Sequence, residues 1–420
     1  MSYKEKYLKY KKKYIDYKKE SIIKGGEPTY YFNDKKWHPE VTDVDLSELK
    51  FLLSINNNFL YKCKSLKSIN LSELTKLTTI NNNFMYRCSS LKTIDLSGLT
   101  QLRSIGNSFI AGCEELNSIN LSGLTQLTNI GEEFMKDCIS VTSIDLSNLN
   151  LLTTIGNNFM IGCEELNSIN LSGLIQLTTI SEQFMRDCIS LKTIDLSNLI
   201  QLTTIDIAFM FKCKSLTNIN LSGLTRLTNI NNYFMNYCES LTSINLSELT
   251  HLKTIGGNFI NNCHSLTSIN LSNLSHLKTI GGNFINNCHG LTSINLSGLT
   301  QLTTISENFM HYCIKLTDIN LSNLSEITSI NDNFMMGCSS LISIDLSGLT
   351  QLRTIGKSFM WGCKSLISID LSGLTQLETF SEGFMMTCKK LKNIKCSLRI
   401  KDKLIKEFPY LNKKEYTITH

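Results

Sequence analysis

The chain has 420 residues, 42% of them hydrophobic, and 41 Lys and Arg against 36 Asp and Glu for a formal net charge of +5. That is enough apolar material for a core, and no apolar run approaches the ~20 residues that a membrane-spanning helix needs. The charged N-terminus lacks an apolar h-region, so no export signal is expected, and the fifteen cysteines read as thiols of a reducing compartment, not a disulfide framework.

Residues 1–26 form a basic arm. Positions 1–20 carry eight Lys against three acids, and Tyr3, Tyr7, Tyr10, Tyr14 and Tyr17 keep heptad spacing. This pattern predicts an amphipathic helix with a tyrosine seam, too short to be stable without a partner. Three readings stand: a solvated charged arm, helix pairing, or contact with nucleic acid or an anionic membrane surface. Gly25 and Gly26 stop the helix, and residues 27–40 link it to the main body of the chain.

From 41 to 395 one phrase recurs. Cysteine returns every 25 residues from Cys63 to Cys388, fourteen times without insertion or deletion. A period of this length is the mark of a stacked-repeat body whose parts contact only their neighbours. Within one coil the apolar positions are Leu66, Ile69, Leu71, Leu74, Leu77, Ile80, Phe84, Met85 and Cys88. The segment L-x-x-I-x-L predicts a short strand. A turn through Ser72 and Glu73 leads to a second extended piece, Leu77 to Ile80, and Asn81 to Asn83 turn the chain again. The remaining F-M-x-x-C predicts a single helical or 3-10 turn. The expected fold is a solenoid of about fifteen 25-residue coils with short parallel strands. Its cysteines are expected to act as small core residues, since equivalent side chains on stacked coils point in parallel and suit disulfides poorly.

The charged and polar columns add detail. Asn or Asp precedes the last strand leucine in every coil from Asp45 to Asp370, with Ser two residues later. These side chains are expected to satisfy turn backbone groups coil after coil; the N-L-S triplets that read as glycosylation acceptors are a by-product of that column. His251 and His276 share one repeat position, His264 and His289 another, and a recent duplication of two coils explains both pairs without a metal. No phosphate-binding glycine loop, no nucleophile with a base and no C-x-x-C occurs. No enzymatic activity, cofactor, metal or small-molecule substrate is therefore expected.

Residues 396–420 leave the repeat and are expected to cap the last coil. Residues 389–420 hold ten Lys and Arg against three acids, so two basic ends flank a mildly acidic solenoid. Outward positions beside the strand define the candidate recognition face: Lys67, Ser68, Lys92, Thr93, Asn117, Thr142, Thr217, Thr242, Thr267, Thr292 and Thr317. At about 4.8 Å per coil this face extends about 70 Å.

The run from Phe84 to Gly106, F-M-Y-R-C-S-S-L-K-T-I-D-L-S-G-L-T-Q-L-R-S-I-G, resembles the BspA-like (Treponema-type) leucine-rich repeats at their Phe, Cys, Leu, Ile and Gly landmarks. It differs by two extra residues per repeat and by Ser97 where proline is usual. The resemblance covers about 85% of the chain and implies a leucine-rich-repeat solenoid. The K-Y-L-K-Y-K-K-K-Y run from Lys6 to Tyr14 resembles the N-terminal segment of many proteins of Mimivirus-type giant DNA viruses, and an Asn, Ile, Lys and Thr bias with only two alanines, Ala111 and Ala208, fits an AT-rich genome. Together these imply a giant-virus protein of the host cytoplasm or the virion, not secreted. The expected function is a non-enzymatic protein–protein interaction or scaffold module with an unknown host or viral partner. The alternative is a structural component of the virion or viral factory, and a metal-binding protein or enzyme is a remote third.

Overall fold

The computed structural model describes residues 30–31, 39–408 and 417–419. The helix expected in the basic arm at 1–26 and most of the linker at 27–40 lie outside the described residues.

Two columns of short parallel strands run the length of the body. The first begins at Asp43–Asp45, continues through Ser68–Asn70 and Thr93–Asp95, and ends at Asn393–Lys395 and Thr417–Thr419. The second begins with Tyr30–Tyr31 beside Leu52–Ile55 and continues from Thr79–Ile80 to Thr354–Ile355. Partners lie one repeat apart and in register, Val44 opposite Ile69 and Ile80 opposite Ile105. At 318–320 the first column narrows to one bridge, Asn320 to Asp345. From Val44 to Ile394 the chain makes about fourteen turns.

The period of two along each strand sends its central Ile inward and its flanks outward. Ile94 is buried while Thr93 and Asp95 are exposed. Leu66, Leu71, Leu74, Leu77, Ile80, Phe84, Met85 and Cys88 fill one coil's share of a single continuous core. Phenylalanines from Phe59 to Phe384 stack along its axis, with centroids between 5.0 and 6.0 Å apart. No coil closes this core alone; each ring has its partners in the coils on either side.

The F-M-x-x-C side corrects the expectation of a helical turn. Asn83, Met85 and Arg87 have φ of 59°, 52° and 56°, so right- and left-handed residues alternate. Their N–H groups bond across coils: Asn83 to the Asn107 carbonyl at 2.8 Å, Met85 back to Phe59 at 2.8 Å, and Arg87 to Ala111 at 2.8 Å. A left-handed L-residue costs about 1–2 kcal/mol, which these inter-coil bonds offset. Asn and Gly, the residues that tolerate this region best, recur here as Asn158, Asn258, Asn283, Gly112, Gly162 and Gly362. The β-branched Ile110 and Ile260 do not take positive φ, and their N–H groups donate forward, to Phe134 and Phe284.

The cysteines do more than fill space. All are free and buried, and each from Cys88 onward donates its thiol to a carbonyl of the preceding coil. Cys88 reaches Leu60 O at 3.2 Å, Cys213 reaches Met185 O at 3.2 Å, and Cys388 reaches Met360 O at 3.3 Å. The Asn and Asp column closes the turn after the first strand in the same repetitive way. Its Oδ1 accepts from the Ser N–H two residues on, as from Ser72 to Asn70 at 3.1 Å and from Ser197 to Asp195 at 2.9 Å.

The helix Leu398–Glu407 lies against the last coil, with Ile400 and Leu404 buried in the core cluster. Arg399 donates to Thr375 O at 2.8 Å, and Lys403 to Leu377 O at 2.9 Å and to Glu378 O. The Phe380 N–H donates to the Glu407 carboxylate at 3.1 Å, and Phe408 stacks on Phe384 to end the aromatic column.

This packing has two measurable outcomes. Burial pushes the Cys213, Cys288 and Cys338 thiols from an ordinary 9.0 up to about 12. The unfolded chain releases these protons near pH 9 while the folded coil keeps them, so stability is complete below pH 9 and is lost as pH rises from 9 towards 12. The slope is about 1.4 kcal/mol per pH unit for each thiol. Melting monitored by circular dichroism under reductant will show a midpoint that falls steeply above pH 9; a flat midpoint to pH 10.5 contradicts this. Second, Asp195→Asn keeps the Oδ1 acceptor for Ser197 and leaves the midpoint nearly unchanged, whereas Asp195→Ala removes it and costs about 1 kcal/mol in denaturant titration.

Candidate recognition surface

The eleven residues of the expected face fall in two rows. Lys67, Lys92, Asn117, Thr142, Thr217, Thr242, Thr267, Thr292 and Thr317 immediately precede the first-column strand position of their coils, and Ser68 and Thr93 are its first residue. All eleven are exposed. Their backbone is fixed by bonds to the preceding coil, such as Lys67 N–H to Thr42 O at 2.7 Å. Several hydroxyls are engaged the same way. Thr217 donates to Lys192 O at 3.0 Å, Thr267 to Thr242 O at 3.0 Å, and Thr292 to Thr267 O at 3.1 Å. The face thus presents threonine methyls and oxygen lone pairs more than free hydroxyl donors.

Charge on the adjoining column is spaced. Asp45, Asp95, Asp145 and Asp195 alternate with Asn70, Asn120, Asn170 and Asn220, so no two carboxylates stand opposite each other, an arrangement that would be unfavourable. Asn70 Nδ2 donates to Asp45 at 3.1 Å. Where Asp345 and Asp370 do adjoin, Lys395 sits 2.9 Å from Asp370. Burial acts upward on the Asp370 carboxyl, but hydrogen bonds from Ser372 and Lys395 outweigh it and hold the carboxyl below its ordinary range.

The first strand column parts between Ser168–Asn170 and Thr193–Asp195, which are not hydrogen-bonded to each other. A groove of about 370 Å³ lies there, lined by Ser168, Ile169, Thr193, Ile194, Asp195, Asn218 and Asn220. It contains one carboxylate, no imidazole and no thiol, so it offers no nucleophile with an adjacent base. The histidines pair as duplicated coils require. His251 and His276 stack at 6.0 Å and His264 and His289 at 4.8 Å, with His264 Nδ1 donating to Asn287 O at 2.9 Å. Among the described residues no three His, Cys, Asp or Glu converge as metal ligands. Burial raises every ladder thiol from Cys63 to Cys363, Cys163 and Cys363 being raised first by hydrogen bonds to Cys188 and Cys388. That keeps them protonated and unreactive at neutral pH.

Two features were not anticipated from the sequence. Ile342 and Ile367 occupy the Lys67 position in neighbouring coils, 48% and 40% exposed, where the column otherwise holds Thr, Lys or Asn. On another side of the coil, Phe211 meets Tyr233 and Tyr237 edge-on at 6.2 and 5.7 Å, with the Arg186 guanidinium 5.1 Å from its ring. Both stand out only when the repeats are aligned column by column and the departures, not the consensus, are read.

No curated protein matches the chain. Among solved structures, a leucine-rich repeat protein from Bacteroides ovatus ATCC 8483 is similar at 23% identity and a TM-score of 0.70, over 88% of this chain and 87% of that one. A leucine-rich cell surface protein from Faecalibacterium prausnitzii A2-165 is similar at 17% identity and a TM-score of 0.34, over 90% of each chain. The profile of the BspA type leucine-rich repeat region, which spans six copies, matches residues 37–160, 128–251, 206–341 and 303–418, nearly the whole solenoid. With a parallel-strand solenoid of 25-residue coils and this match along its length, the chain belongs to the BspA-type leucine-rich repeat family.

Proposed function

We propose that this protein is a non-enzymatic recognition or scaffold module that binds a protein partner along its first-column strand face. The carrying observation is the exposed pair Ile342 and Ile367, set one coil apart at the end of a rigid polar row that includes Thr317. Water-exposed isoleucines on a backbone fixed by inter-coil bonds provide apolar anchors that need no reordering before contact, which lowers the cost of binding. Each gains about 1.5–3 kcal/mol when fully covered. The rows from Lys67 to Thr317 supply a polar surround of the kind that flanks such anchors at interfaces.

The setting proposed is an infected host cell, with the chain a giant-virus protein of the cytoplasm or the virion. Support comes from the Lys6–Tyr14 segment, the AT-rich residue bias, and fifteen cysteines that are all free, a state suited to a reducing compartment.

Quantitative affinity capture from infected-cell lysate tests this reading with the full chain and an Ile342→Asp, Ile367→Asp variant. The specific partner retained by the wild type is expected to fall at least about tenfold on the variant, as the loss of one buried anchor requires, while the melting midpoint is unchanged. Equal capture by both chains would overturn the assignment of this face.

A further inference from the structure

The first two full coils carry a second surface, distinct from the isoleucine face. Residues 61–92 contain six Lys and Arg and one acid, in a chain whose whole excess is only +5. Five of these cations, Lys62, Lys64, Lys67, Lys76 and Arg87, are exposed and form no salt bridge among the described residues. Within this patch Tyr61 and Tyr86 occupy equivalent positions and stack at 5.2 Å with their planes 9° apart. The Lys62 ammonium lies 4.9 Å from the Tyr61 ring and the Arg87 guanidinium 5.3 Å from the Tyr86 ring. The next residue in that column is the small, buried Ala111, so the stack is two rings deep. A bond from Lys62 N–H to Tyr86 O at 2.7 Å locks the two coils together beneath it.

We infer that this patch binds a single-stranded nucleic acid segment. Parallel aromatic rings held on a rigid backbone offer a flat π-surface for unpaired bases, and cations beside them meet the phosphates; the two together are what sequence-tolerant single-strand binding needs. A paired duplex keeps its bases out of reach of such rings. A protein partner fits less well, because five uncompensated cations around the aromatics would each need an acid. Acidic residues dominate farther along the solenoid, so the contact is confined to the first coils and is short. This patch stands apart from the basic arm at 1–26, and its cations belong to the solenoid itself.

Fluorescence anisotropy with labelled oligo-uridine and oligo-thymidine, using the full-length chain, tests the assignment. Both probes are expected to bind, and Tyr61→Ala with Tyr86→Ala should weaken binding about tenfold or more, as the loss of a stacked base implies. Lys62→Gln with Arg87→Gln should lower the slope of log affinity against log salt by about 1.4, or roughly 0.7 for each lost phosphate contact on a single strand. Neutralising the arm with Lys11→Gln, Lys12→Gln and Lys13→Gln should leave the tyrosine effect in place. On unaltered protein, photocrosslinking of a 4-thiouridine oligonucleotide should label Tyr61 or Tyr86, a readout that does not depend on any variant folding. The inference is overturned by absence of binding, by crosslinks confined to the arm, or by heparin-like binding that is indifferent to the tyrosines. A preference for one of the two probes would distinguish RNA from DNA within the same site.

Discussion

The structure depends on a single registration: the partner of almost every buried or bent polar group lies in the coil before or after it. Strand N–H groups, the left-handed N–H groups at Asn83 and Arg87, the threonine hydroxyls and the cysteine thiols all bond one coil away. An unpaired buried backbone group is costly, so inserting one residue would misplace several such partners at once. That constraint accounts for cysteine at a fixed 25-residue spacing from Cys63 to Cys388. It also explains how the chain sustains residues such as Met85 and Met185 at positive φ, which neither would adopt alone.

A body in which each coil completes its neighbour has a problem at its ends. At the C-terminal end the Leu398–Glu407 helix supplies what a further coil would have supplied. Arg399 and Lys403 take the carbonyls of Thr375, Leu377 and Glu378, Glu407 takes the Phe380 N–H, and Phe408 continues the ring stack. The basic character of this end thus has a local cause: the acceptors left open at the edge of a parallel column are carbonyls, and long cationic side chains reach them.

Much of this was legible in the sequence because repetition makes position equivalent to environment. The Leu, Ile and Phe columns read directly as core, and the Asn and Asp column as turn closure, since a short side-chain oxygen two residues before a serine N–H permits little else. The F-M-x-x-C side was not legible. Phe84 and Cys88 have the i, i+4 spacing of a helix and Met is a good helix former, yet inter-coil bonding overrides that local preference. The cysteine column read as apolar filler because a thiol is a weak donor, and its regular bond to the preceding coil appears only when coils are stacked. Departures from the consensus, Ile342, Ile367, Tyr61 and Tyr86, were obscured by the uniformity that made the fold plain, and they are where the surface acquires chemistry.

The coil is therefore the unit of both structure and surface: its interior is fixed by neighbours, which frees a few outward positions to differ. Excision of one coil tests this most directly. Removing the 25 residues from Cys213 to Tyr237 restores every column in register, and the shortened chain should keep its circular dichroism per residue and a cooperative melt. Removing only the 24 residues from Cys213 to Asn236 shifts every later donor off its acceptor and should abolish that melt, about a one-residue slip being enough to turn each strand's core side chains outward. Equal stability of the two chains would contradict the account.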